Sequence, residues 1–311
     1  MPSTATPPRW PPRWPVSSPA AAPPKPRRSR VKQFLARYDR AALLLLPALV
    51  FLVALFIYPM LYGVQLSLNP AEGGPFSNYV EFWSDPFLRD SVWFTFRLAI
   101  PGTLINVAIA LPLAVLMRGR FRGKQFIASA LIFPIVLGSV LIGKGLLNYL
   151  GPAGWLNRTL ETLGIIDQPL VLTGNYWGVL LAIIIADLPF VFLLLLSYAS
   201  GLDEDVEKAA AVHGAGPWQR FSKITFPLLL PGLVTTTALA FVLAFGTFPS
   251  ALIVGDPSGE TRTMGIAAYR AAFQDFDYSM ASTVSMLMAA IELLVVAIIF
   301  ALRRRVHTPT T

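Results

Sequence analysis

The chain has 311 residues, 55% of them hydrophobic and only 14% charged, with a mean hydropathy of +0.60. That is more apolar surface than a soluble domain of this size can hide, so the bilayer is its solvent. It has no cysteine, which excludes disulfides, thiol catalysis and thiolate metal sites. The net charge of +8 does not point to nucleic acid, because 19 of the 25 Lys and Arg residues fall in the N-terminal tail and in loops that alternate onto one side.

Residues 1–40 hold ten of the 27 prolines and no apolar run of the kind a signal peptidase recognises, and are expected to form a disordered Pro/Arg-rich tail. Its basic cluster Lys25–Arg40 sets topology and can lie against anionic membrane lipid at about 1 kcal/mol per basic residue. Residues 41–302 then contain six apolar stretches, each near the length of about 20 residues that a crossing requires: Leu43–Leu66, Val92–Met117, Phe126–Leu147, Tyr176–Ser200, Leu228–Val254 and Tyr278–Leu302. None shows the polar–apolar alternation of a barrel strand, and backbone at that depth must be satisfied internally. The expectation is an all-α integral membrane fold of six transmembrane helices, followed by a short tail, 303–311. The basic residues in the tail, in Arg118–Lys124, in the loop after the fourth span and in Arg303–Arg305 place both termini in the cytoplasm.

Between the spans, the loop Asn69–Ser91 mixes glycine, aromatic and acidic residues and is expected to form short interfacial pieces. In Asn148–Asn175 a turn over Gly151–Asn157 is expected before a short amphipathic helix over Leu160–Gly164, a possible external lid. The fifth apolar run, uncharged from Ile224 to Gly255 and holding Pro227, Pro231 and Pro249, predicts one bent or tilted helix.

The loop 203–227 is the most informative segment. Asp203 or a neighbour can cap a helix whose acids sit at its positive end, Lys208–Val212 has little side-chain bulk, Gly214 and Gly216-Pro217 break it, and Trp218 begins a second helix. Trp218 and Phe221 are rigid anchors of the kind that interface hot spots favour. By itself such a loop is most simply a capped connector. Here Ala209-Ala210, Gly214, Ile224 and Pro227 fall at the spacing Ala-Ala, three residues, Gly, nine residues, Ile, two residues, Pro. This resembles the Glu-Ala-Ala signature loop of ATP-binding-cassette importer permeases. Phe226 replaces the usual Leu, and Lys208 stands at the motif's Glu position, with Glu207 one residue early. One residue turns a helix by about 100°, so Glu207 cannot present its carboxylate where the motif does.

The resemblance extends to Gly154-Trp-Leu-Asn157, Leu163-Gly-Ile, Asp167–Leu170 and Leu188-Pro-Phe190. Within the family, Gly164–Leu170 and Asp277–Ser282 are most similar to the polyamine, ferric-iron and thiamine type branch. The resemblance implies a cytoplasmic coupling helix between the fourth and fifth spans that docks into a dimer of ATP-binding subunits through Glu207, Lys208, Ala209, Ala210, Gly214, Trp218 and Phe221. It further implies a second permease subunit, with a heterodimer favoured, an external solute-binding protein, and residence in the bacterial cell (inner) membrane. The chain has no phosphate-binding loop of its own, so ATP belongs to the partner and no cofactor is expected here.

Ionisable groups inside a span are functional candidates. Asp187, next to Leu188-Pro189 in the fourth span, lines a pathway or pairs with a group such as Lys144. Glu292 lies midway along the sixth, and Asn106 and Asn148 offer neutral hydrogen bonds. Arg97, near the start of the second span, is expected to snorkel to the external headgroups. If Asp187, Pro189, Glu292 and Asn106 line one pathway, a cationic solute such as a polyamine is favoured; sugar, ferric iron, thiamine or phosphonate are alternatives within the family. An integral membrane enzyme would need convergent acid–base groups that the spans lack. A proton-driven secondary transporter would need inverted repeats, which are not evident.

Overall fold

A computed structural model describes residues 45–70, 72–119 and 122–306, side chains only as far as 303. The expected disordered tail, the boundary at residue 40 and the last five residues lie outside them. The chain divides into two units at Tyr58. The described part of the first is helical from Leu46 onward, and the second, Pro59–Thr311, holds every tertiary contact discussed below.

The described residues are mostly helical with no strand among them, and six helices are long and apolar enough to cross a membrane. In chain order the elements are α1 (Leu46–Ser67), α2 (Ser77–Ser84), α3 (Pro86–Arg118), α4 (Lys124–Leu150), α5 (Trp155–Thr162), α6 (Tyr176–Ser200), α7 (Glu204–Val212), α8 (Pro217–Phe245), α9 (Pro249–Val254), α10 (Met264–Phe273) and α11 (Tyr278–Val306). The spanning helices are α1, α3, α4, α6, α8 and α11.

The core sits where α3, α6 and α8 meet. On α3 the buried residues Ser91, Thr95, Leu98, Ala99, Gly102, Thr103, Asn106, Ala110, Ala114 and Met117 follow a stripe at helical spacing. The stripe is rich in small residues, which let neighbouring helices approach where the lipid gives no hydrophobic drive. Gly102 faces Leu180 and Ile183 of α6, and Ala110, Ala114 and Met117 pack with Val191, Phe192 and Leu195, so the two helices run side by side in the same chain direction.

Proline governs the helix irregularities. The hydrogen bonds Tyr58 N–H to Val53 O and Phe226 N–H to Phe221 O close π-turns in α1 (Val53–Ile57) and α8 (Phe221–Thr225), and each ends two residues before a proline, Pro59 and Pro227. A proline withholds its own N–H and crowds the carbonyl four residues back, and the widened turn absorbs both effects.

Three boundaries differ from expectation. The fifth apolar run is not one bent helix: α8 starts ten residues before Pro227, ends at Phe245, and Pro249 opens the separate helix α9 after a break at Gly246–Phe248. The interruption inside a span falls in α4, where Gly138, four residues after Pro134, has a non-helical φ of 70°. The short helix α5 begins at Trp155, within the segment read as a turn.

That segment is organised by Asn157, which is fully buried. Its Nδ2 donates to the carbonyls of Gly151 (3.0 Å) and Leu170 (3.0 Å), and its Oδ1 accepts from Leu170 N–H (2.9 Å), closing the loop between α4 and α6 around one side chain. Asn157→Ala orphans these backbone groups at a cost of about 1–3 kcal/mol. The Tm of the protein in detergent is expected to fall by several degrees, and an unchanged Tm would show that the loop is held by other contacts.

Candidate functional site

The segment between α6 and α8 forms a helix–break–helix on the protein surface. Asp203 caps α7, its Oδ1 accepting from Asp205 N–H at 2.8 Å, and Glu204, Asp205 and Glu207 lie in the positively polarised first turn. At the other end Gly214 N–H donates to Ala211 O (3.0 Å) and Ala215 N–H to Ala210 O (3.0 Å), the paired bonds that terminate a helix through a left-handed residue. Gly214 has φ +83°, which explains why the motif needs glycine there. α8 then starts at Pro217, with Gly216 N–H held by Gln219 Oε1 at 3.2 Å.

This knob exposes apolar surface. α7 has no buried residue, Val212 is 85% exposed and Trp218 75% exposed, while Ala209 and Gly214 are open and Ala210 half-buried. Trp218 stacks near Phe221 at a ring distance of 5.7 Å, and Phe221 in turn lies near Phe226, so the exposed indole stands on a rigid aromatic base.

Glu207 and Lys208 face different ways. Lys208 lies on the exposed side, 2.9 Å from Asp205 and 3.6 Å from Glu204, and Asp205 raises its pKa. Glu207 turns toward the body of the protein, where its Oε1 accepts from Arg118 Nη1 (2.9 Å) and from Thr225 Oγ1 (2.6 Å). Burial pushes its carboxyl up, but the hydrogen bonds from Thr225 and Arg118 and the charges of Arg118 and Arg220 outweigh it and hold the pKa below the ordinary value.

Inside the spans the candidate residues are only partly gathered. With Gly102 against Ile183, one further turn along both helices brings Asn106 of α3 to the height of Asp187 of α6. Asn106 is 1% exposed, and its Nδ2 and Oδ1, together with the buried Oδ2 of Asp187 and the buried hydroxyls of Thr103 and Thr236, have no hydrogen-bond partner among the described residues. Pro189 is buried two residues beyond Asp187. Thr103 and Thr236 escaped the sequence reading, although Thr103 stands one turn before Asn106 on the same face. Lys144 and Asn148 are exposed, and Asp187 makes no ion pair among the described residues. Glu292 is half-buried elsewhere, its Oε1 near Gly246 at the end of α8. α8 packs against both α6 and α11, and no hydrogen bond or ion pair joins Glu292 to Asp187.

At the opposite end of α3 from Arg118, Arg262 donates from Nε (3.0 Å) and Nη2 (2.6 Å) to the carbonyl of Phe87 and lies over that ring. Arg97 is exposed beside Trp93 and Tyr176, and the Tyr176 hydroxyl donates to its carbonyl at 2.9 Å.

A body of six apolar helices with an exposed glycine-closed helix between the fourth and fifth has the form of a transport permease. The chain belongs to the family described as "Binding-protein-dependent transport system inner membrane component", which matches residues 27–309, and is thus of the ATP-binding-cassette importer class. It is 31% identical over 223 residues to a probable sulfate transport system permease protein, cysT, of Marchantia polymorpha, covering 71% of this chain and 73% of that one. It is 32% identical over 189 residues to the molybdenum transport system permease protein ModB of Escherichia coli strain K12 (58% and 80% covered). It is also 27% identical over 292 residues to the inner membrane ABC transporter permease protein YcjO of the same strain (86% and 94%). A chain of a bacterial alginate ABC transporter, solved in complex with an alginate pentasaccharide-bound periplasmic protein, shares the fold with a TM-score of 0.75 at 20% identity, over 91% of this chain and 100% of that one. None of these relatives carries a polyamine, ferric-iron or thiamine name.

A β-carbon at residue 214 would meet nothing within 4 Å, so the cost of Gly214→Ala is backbone strain alone, about 1–2 kcal/mol. Amide exchange across residues 204–216 is expected to quicken by about 5- to 30-fold, with exchange in α3 unchanged; an unaltered rate in the loop would contradict this.

Proposed function

We propose that this chain is one of two permease subunits, in a heterodimer, that line the pathway of an importer in the cell membrane. A dimer of cytoplasmic ATP-binding subunits docks on the exposed face of this loop, at Lys208, Ala209, Val212, Gly214 and Trp218, and an external binding protein delivers the solute. The observation that carries this reading is the surface knob itself. Val212 and Trp218 are large apolar side chains held open on a polar loop, and Gly214 fixes the backbone that presents them. Exposed anchors of this kind on a pre-organised surface fit a protein groove. The family membership supports the same partners. Both termini are assigned to the cytoplasm from the 19 basic residues that share the side of this loop.

The unpaired polar groups of Asn106, Asp187, Thr103 and Thr236, with Pro189 nearby, are assigned to the pathway helices, where a solute or water can use hydrogen bonds the protein leaves open. Glu292 lies near Gly246 at the end of α8 and is given a secondary role at the α8–α11 contact. The case for a cationic solute required both acids in one place. With no bond joining them, the sulfate and molybdate names of the relatives favour a small oxyanion.

With the full importer in cells, saturable uptake of radiolabelled sulfate or molybdate that vanadate abolishes is expected, with Trp218→Ala weakening retention of the ATP-binding subunits by about 2 kcal/mol, or about thirtyfold. Vanadate-insensitive uptake by this chain alone would make it a secondary transporter, and uptake of putrescine in place of either anion would overturn the substrate assignment.

A further inference from the structure

One carboxylate oxygen at the cytoplasmic end of the helix bundle joins three elements. Glu207 Oε1 on α7 accepts from Arg118 Nη1 on the last residue of α3 (2.9 Å) and from Thr225 Oγ1 in the π-turn of α8 (2.6 Å). The Arg118 side chain is 10% exposed and that of Glu207 26%, so the pair is largely shielded from water. Arg220, in the first turn of α8, adds positive charge to the same carboxylate. α7 itself contributes no buried residue, so it has little apolar grip on the body. By contrast, α3 and α8 pack against α6 and against each other.

We infer that the Glu207–Arg118–Thr225 clasp is the link through which displacement of α7 is passed to α3 and α8, and that Glu207 is a positioning residue rather than a contact for the ATP-binding subunit. This rests on the ATPase-coupled reading above and deepens it. It also gives a physical reason for the one-residue offset in the motif. Shifting the acid from 208 to 207 turns it by about 100° away from the partner face and onto Arg118, leaving Lys208 outside. The π-turn adds to the link, since it places Thr225, 3% exposed, under the carboxylate in the same turn that adapts α8 to Pro227.

The test compares variants in the reconstituted importer by two readouts, retention of the ATP-binding subunits and solute moved per ATP hydrolysed. Glu207→Gln and Arg118→Ala are expected to retain the subunits as the unaltered chain does, while transport per ATP falls about tenfold or more, within the range of coupling between sites. The double variant should be no worse than either single one. Charge reversal, Glu207→Arg with Arg118→Glu, should recover part of the loss. Loss of subunit binding in Glu207→Gln, as in Trp218→Ala, would make Glu207 a contact residue and overturn the inference, as would an unchanged transport-to-ATP ratio. If the unaltered chain retained no ATP-binding subunit, the underlying reading would fall first. Should the variants not fold, spin labels at Leu116→Cys and Val206→Cys, both exposed and in a chain without native cysteine, carry the test with the clasp intact. Their separation should stay constant when ATP binds, and a change would show that α3 and α7 move independently.

Discussion

In hydrocarbon, a backbone N–H or carbonyl that loses its helical partner has no water to replace it. Most of the architecture depends on that constraint. It makes the described body helical, and it decides where a helix can stop being regular. The π-turns before Pro59 and Pro227 keep the ladder closed around a missing donor, and the buried Asn157 side chain serves three backbone groups in the loop between α4 and α6. Where α8 ends, Thr263 Oγ1 donates to Thr247 O at 3.3 Å and Thr95 Oγ1 accepts from Met264 N–H at 2.9 Å, so short side chains finish what the helix leaves open.

Against that background, the polar groups that are not satisfied stand out. Asn106, Asp187, Thr103 and Thr236 lie in helices otherwise packed with alanine, glycine and leucine, and a buried polar group without a partner is costly enough to need a reason. The proposed pathway supplies one, because a pathway must offer hydrogen bonds that its resting walls do not consume. The end of the bundle at α7 follows the opposite principle. There Glu207 accepts two hydrogen bonds on one oxygen and draws α7, α3 and α8 together, while the neighbouring Lys208 and Trp218 are left to the outside. A stiff attachment on the inner side of α7 and an adhesive surface on its outer side are what a helix that receives a push requires.

Much of this plan was legible in the amino-acid sequence. Tyr176–Ser200 matches α6 residue for residue, since Asn175 caps its start, accepting from Gly178 N–H, and Gly201 follows its end. The loop was legible too, because Asp203, Gly214 and Pro217 are local signals whose effects need no distant partner. The break in the fifth apolar run was not visible, since Gly246-Thr247-Phe248 is as uncharged as its surroundings and is held by Thr263, sixteen residues further on. Nor was the role of Glu207, whose partner Arg118 is 89 residues away. The offset from the motif could be seen, but the direction in which the acid had turned could not. Asp187 and Glu292 looked equivalent as intramembrane acids, and only the structure sets Glu292 near Gly246 at the end of α8 and leaves Asp187 Oδ2 buried without a partner among the described residues.

The central claim is that the face of α7 opposite Glu207 is a cytoplasmic docking surface for an ATP-binding subunit. Thiol labelling of Val212→Cys tests it most directly, because the chain has no other cysteine and position 212 is 85% exposed. A membrane-impermeant maleimide is expected to label inside-out vesicles stripped of the ATP-binding subunits, to be blocked when those subunits are restored, and to leave right-side-out vesicles unlabelled. Labelling of right-side-out vesicles, or labelling that the restored subunits do not slow, would contradict it.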